Sequence, residues 1–197
     1  MINVHRIEPH TKAEGPGIRC CIWMQGCHRH CPGCFATDTW NTSPRLLMSV
    51  DDIISQALSH SDVEGITILG GEPFLQPEAL AALTRKAWER GLSTIVFTGY
   101  THDELLAAHN PLWDEVLSHT DVLVDGPYVE QQRSFRRPMV GSDNQRFIFL
   151  TQRYQMSDFR RNTIEVRITP DGIARFNGMG DFNALKQHFT LQHHTTT

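Results

Sequence analysis

Residues 65–97 read GITILGGEPFLQPEALAALTRKAWERGLSTIVF, in which an amphipathic segment separates two apolar runs. The first run, residues 65–69, is rich in β-branched side chains and predicts a buried strand. Residues 77–90 carry leucine and alanine at helical spacing, and Gly91 follows where helices commonly end. Residues 92–97 predict the next strand. Together they predict a strand–helix–strand unit with parallel strands and a right-handed crossover.

The same alternation extends on both sides of this unit. Ser49 suits the N-cap of a helix over residues 50–58, because its hydroxyl can accept a hydrogen bond from the first turn. Further strands are predicted at residues 18–24 and 121–124, and further helices at residues 102–109 and 111–119. Such alternation is typical of an α/β fold.

The pattern changes near the C-terminus. The elements predicted there are a strand at 146–151, a hairpin over 163–176 turned by Pro170-Asp171-Gly172, and a helix at 181–189. We therefore divide the chain into a core domain, residues 1–151, and an extension, residues 152–197, that packs on the core.

Polar or glycine-rich motifs directly follow four of the predicted strands. The carboxyl ends of parallel strands face one side of a sheet, and in α/β folds that side carries the site. We therefore expect the motifs to converge on one cavity. They are the cysteine-rich loop after residue 24, Gly70-Gly71-Glu72-Pro73, Thr98-Gly99-Tyr100 and Asp125-Gly126-Pro127-Tyr128.

The composition excludes several classes of protein. Lysine and arginine number 18 against 22 aspartates and glutamates, a net charge of −4 with histidines neutral. This balance argues against a strongly basic nucleic-acid-binding module and against a polybasic membrane patch. The apolar runs are too short to span a bilayer. Residues 1–5 lack the basic start of a signal peptide, so we expect a cytoplasmic protein.

All five cysteines fall within residues 20–34, and an odd number fits a disulfide framework poorly. The C-x3-C-x2-C pattern consists of Cys27, Cys31 and Cys34. Three thiolates on one tight loop can hold a [4Fe–4S] cluster and leave one iron open for an outside ligand. The alternative is a zinc ion, with His28 or His30 as the fourth ligand.

Other residues near this loop are expected to have no ligand role. Cys20 and Cys21 lie in the preceding strand, where adjacent side chains point to opposite faces, so both cannot join one centre. We expect them to be small buried core residues. Within the loop, His28, Arg29 and His30 are expected to face solvent or a partner.

The cysteine pattern followed by the aromatic Phe35 resembles the signature of the radical S-adenosylmethionine superfamily, and residues 70–73 resemble that family's Gly-Gly-Glu-Pro motif. More closely, the chain is similar to the small activating enzymes of anaerobic ribonucleoside-triphosphate reductase. The further motifs that carry this similarity are Gly15-Pro16-Gly17 with Arg19 and Cys20, Trp40, Thr98-Gly99-Tyr100, 121–126 and 141–146. The resemblance implies a partial, open (β/α) barrel with a small C-terminal hairpin and helix extension, a [4Fe–4S] cluster, and S-adenosylmethionine.

The resemblance also implies roles for individual residues. The implied cluster ligands are Cys27, Cys31 and Cys34, and the implied cofactor-binding residues are Phe35, Gly70, Gly71, Glu72, Pro73, Thr98 and Asp125. Gly70 and Gly71 would allow the backbone to approach the cofactor closely. Glu72 would accept from the methionine ammonium group, Phe35 would contact the adenine, and Asp125 would bind the ribose or line the cavity.

The implied activity is reductive cleavage of S-adenosylmethionine to a 5′-deoxyadenosyl radical, which generates a glycyl radical on an anaerobic ribonucleotide reductase. A low-potential electron donor such as flavodoxin is implied as well, and neither nucleic acid nor membrane is expected as a partner. A chain of 197 residues is too short for eight barrel units, so the cavity should be open to a macromolecular substrate. Two alternatives stay open: a radical enzyme in which residues 152–197 recognise another peptide or protein, and a zinc-stabilised binding module without catalysis.

Overall fold

The computed structural model describes residues 1–168, 171–172 and 174–180 of the chain. The strands are β1 (Ile2–Thr11), β2 (Arg19–Met24), β3 (Leu46–Met48), β4 (Gly65–Gly70), β5 (Ser93–Phe97), β6 (Val122–Asp125), β7 (Arg146–Phe149), β8 (Ile164–Ile168) and β9 (Ala174–Gly178). The helices are α1 (Val50–Leu58), α2 (Pro77–Glu89), α3 (His102–Ala107) and α4 (Pro111–Ser118). Every strand and helix predicted between residues 18 and 151 is present, with ends that differ by a few residues.

Seven strands form one mixed sheet in the order β3-β1-β2-β4-β5-β6-β7. The four central strands β2, β4, β5 and β6 are parallel, whereas β1, β3 and β7 add antiparallel pairs at the two sides. The α/β class with a largely parallel sheet is therefore confirmed. No pairing among the described residues closes this sheet into a barrel. Because the central strands end at one edge, the loops that follow them lie together there.

The first strand, β1, is not predicted by the sequence patterns. Ile2 and Val4 are fully buried, but the alternation of apolar and polar side chains breaks after Val4. The pairing of β1 with β2 has irregularities after Val4 and again after Glu8. Such irregularities shift side chains between faces, so the period of two that identifies a strand is lost.

The helix ends follow local chemistry. The Ser49 hydroxyl caps α1 by accepting from the Asp52 N–H at 3.0 Å, as predicted. After α2, Gly91 adopts a φ of +73°, the left-handed conformation that glycine enters without steric cost. Thr101 and Glu104 form a capping box at the start of α3. None of the helices in the described part of the chain combines the length and apolar character that crossing a membrane requires.

The predicted C-terminal hairpin is present as β8 and β9, which pair antiparallel in a two-stranded sheet of their own. In the predicted turn, Gly172 has a φ of +82°, while Pro170 lies outside the described residues. The helix predicted at residues 181–189 also lies outside them. The segment before the hairpin packs on the core, where the buried Phe159 contacts aromatic side chains of β7.

Candidate functional site

A cavity of about 670 Å³ lies at the carboxyl edge of the parallel strands. All four motifs that follow the predicted strands contribute to its wall, so the expected convergence is confirmed. The motif residues that line it are Cys27, Cys31, Cys34, Gly70, Gly71, Glu72, Thr98, Gly99, Gly126 and Tyr128. A concave site of this size accommodates one small-molecule ligand of cofactor dimensions.

The cysteine loop begins where β2 ends and is held by its own backbone. The Gly26 N–H donates to the Thr39 carbonyl at 2.7 Å, and the Cys27 N–H donates to the Trp40 carbonyl at 3.2 Å. Within the loop, the Cys34 N–H donates to the Cys31 carbonyl at 3.1 Å. These bonds hold the loop on the cavity rim, where all three cysteines are partly exposed.

The environment of Cys34 acts on its thiol in two opposing directions. Burial raises the pKa of its thiol, whereas hydrogen bonds from the Ala36 N–H and the Trp40 side chain act in the opposite direction. The Ala36 nitrogen lies 3.4 Å from the Cys34 sulfur. Hydrogen bonds to the sulfurs are one of the means by which proteins tune iron–sulfur centres.

The other two cysteines are core residues, as expected. Cys20 and Cys21 are fully buried in β2, and burial raises the pKa of the Cys20 thiol to about 12. Burial also holds the pKa of Cys21 well above its ordinary value. Buried neutral thiols of this kind are inert.

The two histidines of the cysteine loop do not complete the donor set of the three thiols. Neither histidine of the loop is directed to the cysteines: His28 Nε2 lies 3.1 Å from the Tyr100 hydroxyl, and the His30 ring stacks on Trp40 at 4.6 Å. Within residues 1–168, 171–172 and 174–180, no three His, Cys, Asp or Glu side chains are grouped as ligands of one metal ion. This includes Cys27, Cys31 and Cys34, so their sulfurs are not gathered into one ligand set in this structure. The thiol chemistry and the C-x3-C-x2-C spacing nevertheless suit a cluster that keeps one iron open.

Glu72 is a buried carboxylate at the centre of the wall. It accepts from the Phe74 N–H at 3.0 Å, from the Thr98 hydroxyl at 2.9 Å and from the Gly99 N–H at 2.8 Å. Burial raises its pKa, and these hydrogen bonds together with nearby Arg29 oppose that shift. The network fixes the carboxylate in one orientation, and the Thr98 hydroxyl contributes to it.

Gly70 and Gly71, which precede Glu72, allow another part of the protein backbone to pack closely against them. A Cβ added to Gly71 would lie 2.1 Å from the Gly26 carbonyl oxygen, and one added to Gly70 would lie 2.6 Å from the Met24 nitrogen. The Glu72 N–H also donates to Gly26 at 2.8 Å. The Gly-Gly pair therefore joins the β4 loop to the start of the cysteine loop.

Phe35 lies on the cavity wall beside the cysteines, with 48% of its surface exposed. Its ring contacts Tyr128 edge-on at 5.2 Å and lies 5.8 Å from Phe135. The Arg133 guanidinium lies 5.1 Å from the ring centroid. An exposed aromatic face at a cofactor-sized cavity is suited to stacking on a base.

Asp125 and Pro73 are not among the described residues that line the cavity. Asp125 is fully buried and accepts from Arg146 Nε at 3.0 Å and Nη2 at 2.5 Å. It also accepts from the His102 N–H, at 2.7 Å, at the start of α3. The Asp125 carboxylate therefore joins β6, β7 and α3. Pro73 is buried and begins the short turn that follows Glu72.

Arg29 does not extend into open solvent, one of the two directions expected for it, and that it faces a partner stays a prediction. Its guanidinium lies 4.2 Å from the centroid of the Tyr100 ring, and its Nε lies 3.9 Å from a Glu72 oxygen. Its side chain is only 21% exposed and lines the cavity. Sequence spacing could not reveal this inward direction, because the contact joins two separate loops.

A second wall of the cavity was also missed. It brings together Glu14, from the segment after β1, and residues 176–180 of the hairpin. The Gly178 N–H donates to Glu14 Oε1 at 3.0 Å. Burial raises the pKa of Glu14 to about 7, although nearby Arg6 and the Gly178 hydrogen bond oppose the shift. The one sequence feature that could have indicated a role for Glu14 is its position just before the Gly15-Pro16-Gly17 turn.

Comparisons with known proteins agree with this geometry. A family model described as a 4Fe-4S single cluster domain matches residues 13–148, a range that includes the cysteine loop and the ends of β4, β5 and β6. The anaerobic ribonucleoside-triphosphate reductase-activating protein of Escherichia coli K12 is 33% identical over 152 residues, covering 73% of this chain and 96% of that protein. The protein of that name from enterobacteria phage T4 is 28% identical over 151 residues, which cover 74% of this chain and 92% of that protein. The pyruvate formate-lyase-activating enzyme of Clostridium pasteurianum is 32% identical over 137 residues, which cover 66% of this chain and 54% of that enzyme.

Proposed function

Because the chain belongs to the family of the anaerobic ribonucleoside-triphosphate reductase-activating proteins, we propose that it is a radical S-adenosylmethionine enzyme. It cleaves S-adenosylmethionine reductively and generates a glycyl radical on a partner enzyme, an anaerobic ribonucleotide reductase. The observation that supports this most directly is the single cavity shared by three thiols, a fixed buried carboxylate and an exposed aromatic ring.

Cys27, Cys31 and Cys34 would hold a [4Fe–4S] cluster on the cavity rim. When bound, the cluster and S-adenosylmethionine together supply an electron and a carbon radical that abstracts hydrogen. The fold would be the partial, open barrel typical of radical S-adenosylmethionine enzymes, built from residues 1–151, with residues 152–197 as its extension.

Glu72 would bind the methionine ammonium group of the cofactor. A carboxylate oxygen can accept about two hydrogen bonds, and among the described residues Oε2 accepts one, from Gly99. Gly99 holds this oxygen in place and Thr98 holds Oε1, so binding costs little reorganisation. Burial raises the pKa of Glu72, and Arg29, 3.9 Å away, opposes that shift by favouring the ionised carboxylate.

Phe35 would stack on the adenine, and Gly70 and Gly71 would shape the wall on which the methionine part lies. Asp125 would act indirectly, because its bonds to Arg146 and to the start of α3 fix the loops beside the cavity. Pro73 would hold the turn that follows Glu72.

A macromolecular partner agrees with the exposure of the cysteine loop. The electron would come from a low-potential donor such as flavodoxin, in the cytoplasm. A net charge of −4 gives no support for a nucleic-acid partner. Both reductase-activating and pyruvate formate-lyase-activating proteins are among the relatives, so the two glycyl-radical enzyme types are the partners to compare.

The cluster is tested with Cys31→Ala and the matched control Cys20→Ala. Both remove one thiol from the same fifteen-residue region, but Cys20 is buried in β2. After anaerobic reconstitution, we expect wild type and Cys20→Ala to show a reduced-cluster paramagnetic resonance signal that changes when S-adenosylmethionine is added. Cys31→Ala should lose it while keeping the far-ultraviolet circular dichroism of the fold. Equal iron content in both variants, or a protein that takes up zinc alone, would refute the cluster.

The partner is tested by mixing the reconstituted, reduced protein and S-adenosylmethionine with an anaerobic ribonucleotide reductase or a pyruvate formate-lyase. We expect a glycyl-radical doublet on the reductase. A doublet on the formate-lyase alone would replace the proposed partner. Cofactor cleavage without a doublet on either would favour another peptide or protein as the target.

A further inference from the structure

A second cavity, of about 500 Å³, lies at the amino ends of the parallel strands, away from the cysteine loop. Its walls come from the Gly15-Pro16-Gly17 turn, which precedes β2, and from the segment 153–163, which follows β7. We call this cavity the amino-edge cleft. It shares none of its described lining residues with the cofactor cavity. The two ends of β2, Arg19 and Met24, are roughly 17 Å apart, so the two cavities are separate sites.

The cleft is lined by exposed cations that have no carboxylate partner. Within the part of the chain that the structure describes, none of these side chains forms an ion pair. They are Lys12, Arg153, Arg160 and Arg161. The family model ends at residue 148, so the three arginines lie outside the range that it matches.

Two carboxylates also line the cleft, and each is bound to backbone. Glu64 Oε1 accepts from the Ile18 N–H at 3.3 Å, and Asp158 accepts from the Gln155 N–H at 2.8 Å. The lining therefore holds two more cations than carboxylates, in a chain whose net charge is −4. A concave surface with an excess of one charge attracts ligands of the opposite charge.

A buried guanidinium directly behind the cleft adds to this excess. Arg19 is fully buried, and it donates to two residues of the lining, to the Pro16 carbonyl and to the Tyr154 hydroxyl, both at 3.3 Å. Its hydrogen bonds to described residues go to hydroxyl and carbonyl oxygens and not to a carboxylate. Burial lowers the pKa of this guanidinium, although Tyr154 and Asp121 oppose the shift. A buried charge without a bonded counter-ion is costly, and an anion in the cleft would reduce that cost.

The glycine turn is a place where this protein already holds an anionic group. A Cβ added to Gly17 would lie 2.7 Å from both carboxylate oxygens of Glu64, so the carboxylate rests against the turn. The main-chain N–H groups of Gly15 and Gly17 have no acceptor among the described residues. Main-chain N–H groups in turns of this kind bind anions.

We propose that the amino-edge cleft binds a small molecule that carries two or more phosphate groups. Arginine is suited to phosphate because its planar guanidinium donates two parallel hydrogen bonds to phosphate oxygens. Several cations in one cleft match several phosphates, since each phosphate brings about two negative charges. A volume of about 500 Å³ is in the range of small-molecule sites. The proposal does not rest on the radical chemistry of the other cavity.

The probes are inorganic tripolyphosphate and ATP, titrated calorimetrically into the cluster-loaded protein without divalent cations. S-adenosylmethionine is present at saturation, so that the cofactor cavity is filled. We expect the double variant Arg160→Gln/Arg161→Gln to bind tripolyphosphate about tenfold more weakly than wild type, because charge-assisted hydrogen bonds are lost. Arg45→Gln is the matched control, since Arg45 is exposed and does not line the cleft, and it should bind as wild type does.

Glu64→Gln gives a change of the opposite sign. Its amide keeps an oxygen that can accept from the Ile18 N–H, but the negative charge beside the ligand is gone. We expect about threefold tighter binding of tripolyphosphate. Because a folding defect does not tighten binding, this variant keeps the test decisive even if the double arginine variant is unstable.

The two probes distinguish the source of the phosphates. Tighter binding of ATP than of tripolyphosphate would identify a nucleotide as the ligand, and equal binding would identify the phosphate groups alone. Failure of both probes to bind at millimolar concentration would overturn the proposal, as would equal losses of affinity in the double variant and in Arg45→Gln. Binding of an oligoglutamate peptide but of neither phosphate probe would also overturn it and would assign the cleft to protein carboxylates.

Discussion

Glu14→Gln tests whether the buried Glu14 carboxyl group, which accepts from the Gly178 N–H, is neutral in the folded protein. The glutamine amide has the same shape as the acid and keeps an oxygen that can accept from the Gly178 N–H. The variant cannot ionise, so it removes the proton equilibrium and preserves the contact. It therefore isolates the free energy that ionisation of Glu14 costs the fold.

The magnitude follows from the pKa, which burial raises from 4.5 to about 7. Between these two values the folded protein holds a proton that the unfolded chain has lost, so stability falls as the pH rises. A difference of about 2.5 pKa units corresponds to ~3.4 kcal/mol in total, at ~1.36 kcal/mol per unit. Between pH ~5 and pH ~8 the loss amounts to roughly 2.5 kcal/mol, because part of the window lies outside that range.

The assay is equilibrium urea unfolding of wild type and Glu14→Gln, under anaerobic reducing conditions, at several pH values across that window. The difference between the two free energies of unfolding is the quantity to follow, since other titrating groups such as Glu72 contribute equally to both proteins. Relative to wild type, Glu14→Gln should gain about 2.5 kcal/mol of stability from pH ~5 to pH ~8.

A difference that stays constant with pH would refute the reasoning. It would mean that Glu14 has the same pKa in the folded and the unfolded protein. A difference of opposite sign would show a Glu14 pKa below its ordinary value, with the attraction of Arg6 outweighing burial.

Two further variants test the wall around Glu72. Gly71→Ala places a Cβ 2.1 Å from the Gly26 carbonyl oxygen, so we expect a loss of about 1–3 kcal/mol in urea unfolding together with lower iron uptake; iron uptake equal to wild type would contradict the link between the two loops. Thr98→Val removes the hydroxyl that donates to Glu72 and should cost about 1–3 kcal/mol in the free energy of unfolding, because a buried carboxylate loses a donor. Thr98→Ser keeps the hydroxyl and should restore most of that loss, and equal stability of the valine and serine variants would show that the hydrogen bond is unimportant.

The sequence determined the features that depend on local spacing. Strands and helices follow from the periodicity of apolar side chains, and the cap at Ser49 follows from the chemistry of one hydroxyl. The position of the polar motifs at one sheet edge follows from the parallel connection of the strands, without knowledge of any side-chain contact. The thiol spacing and Gly70–Pro73 were likewise readable, because each lies within a few residues of chain.

Only the tertiary structure decided which residues meet across large separations. Asp125 pairs with Arg146 rather than lining the cavity, Arg29 turns inward to Tyr100, and Glu14 meets Gly178 across 164 positions of sequence. No periodicity records such pairs, since each depends on where separate segments pack. The raised pKa of Glu14 has the same origin, because burial is a property of the assembled wall and not of the residues beside it in the chain.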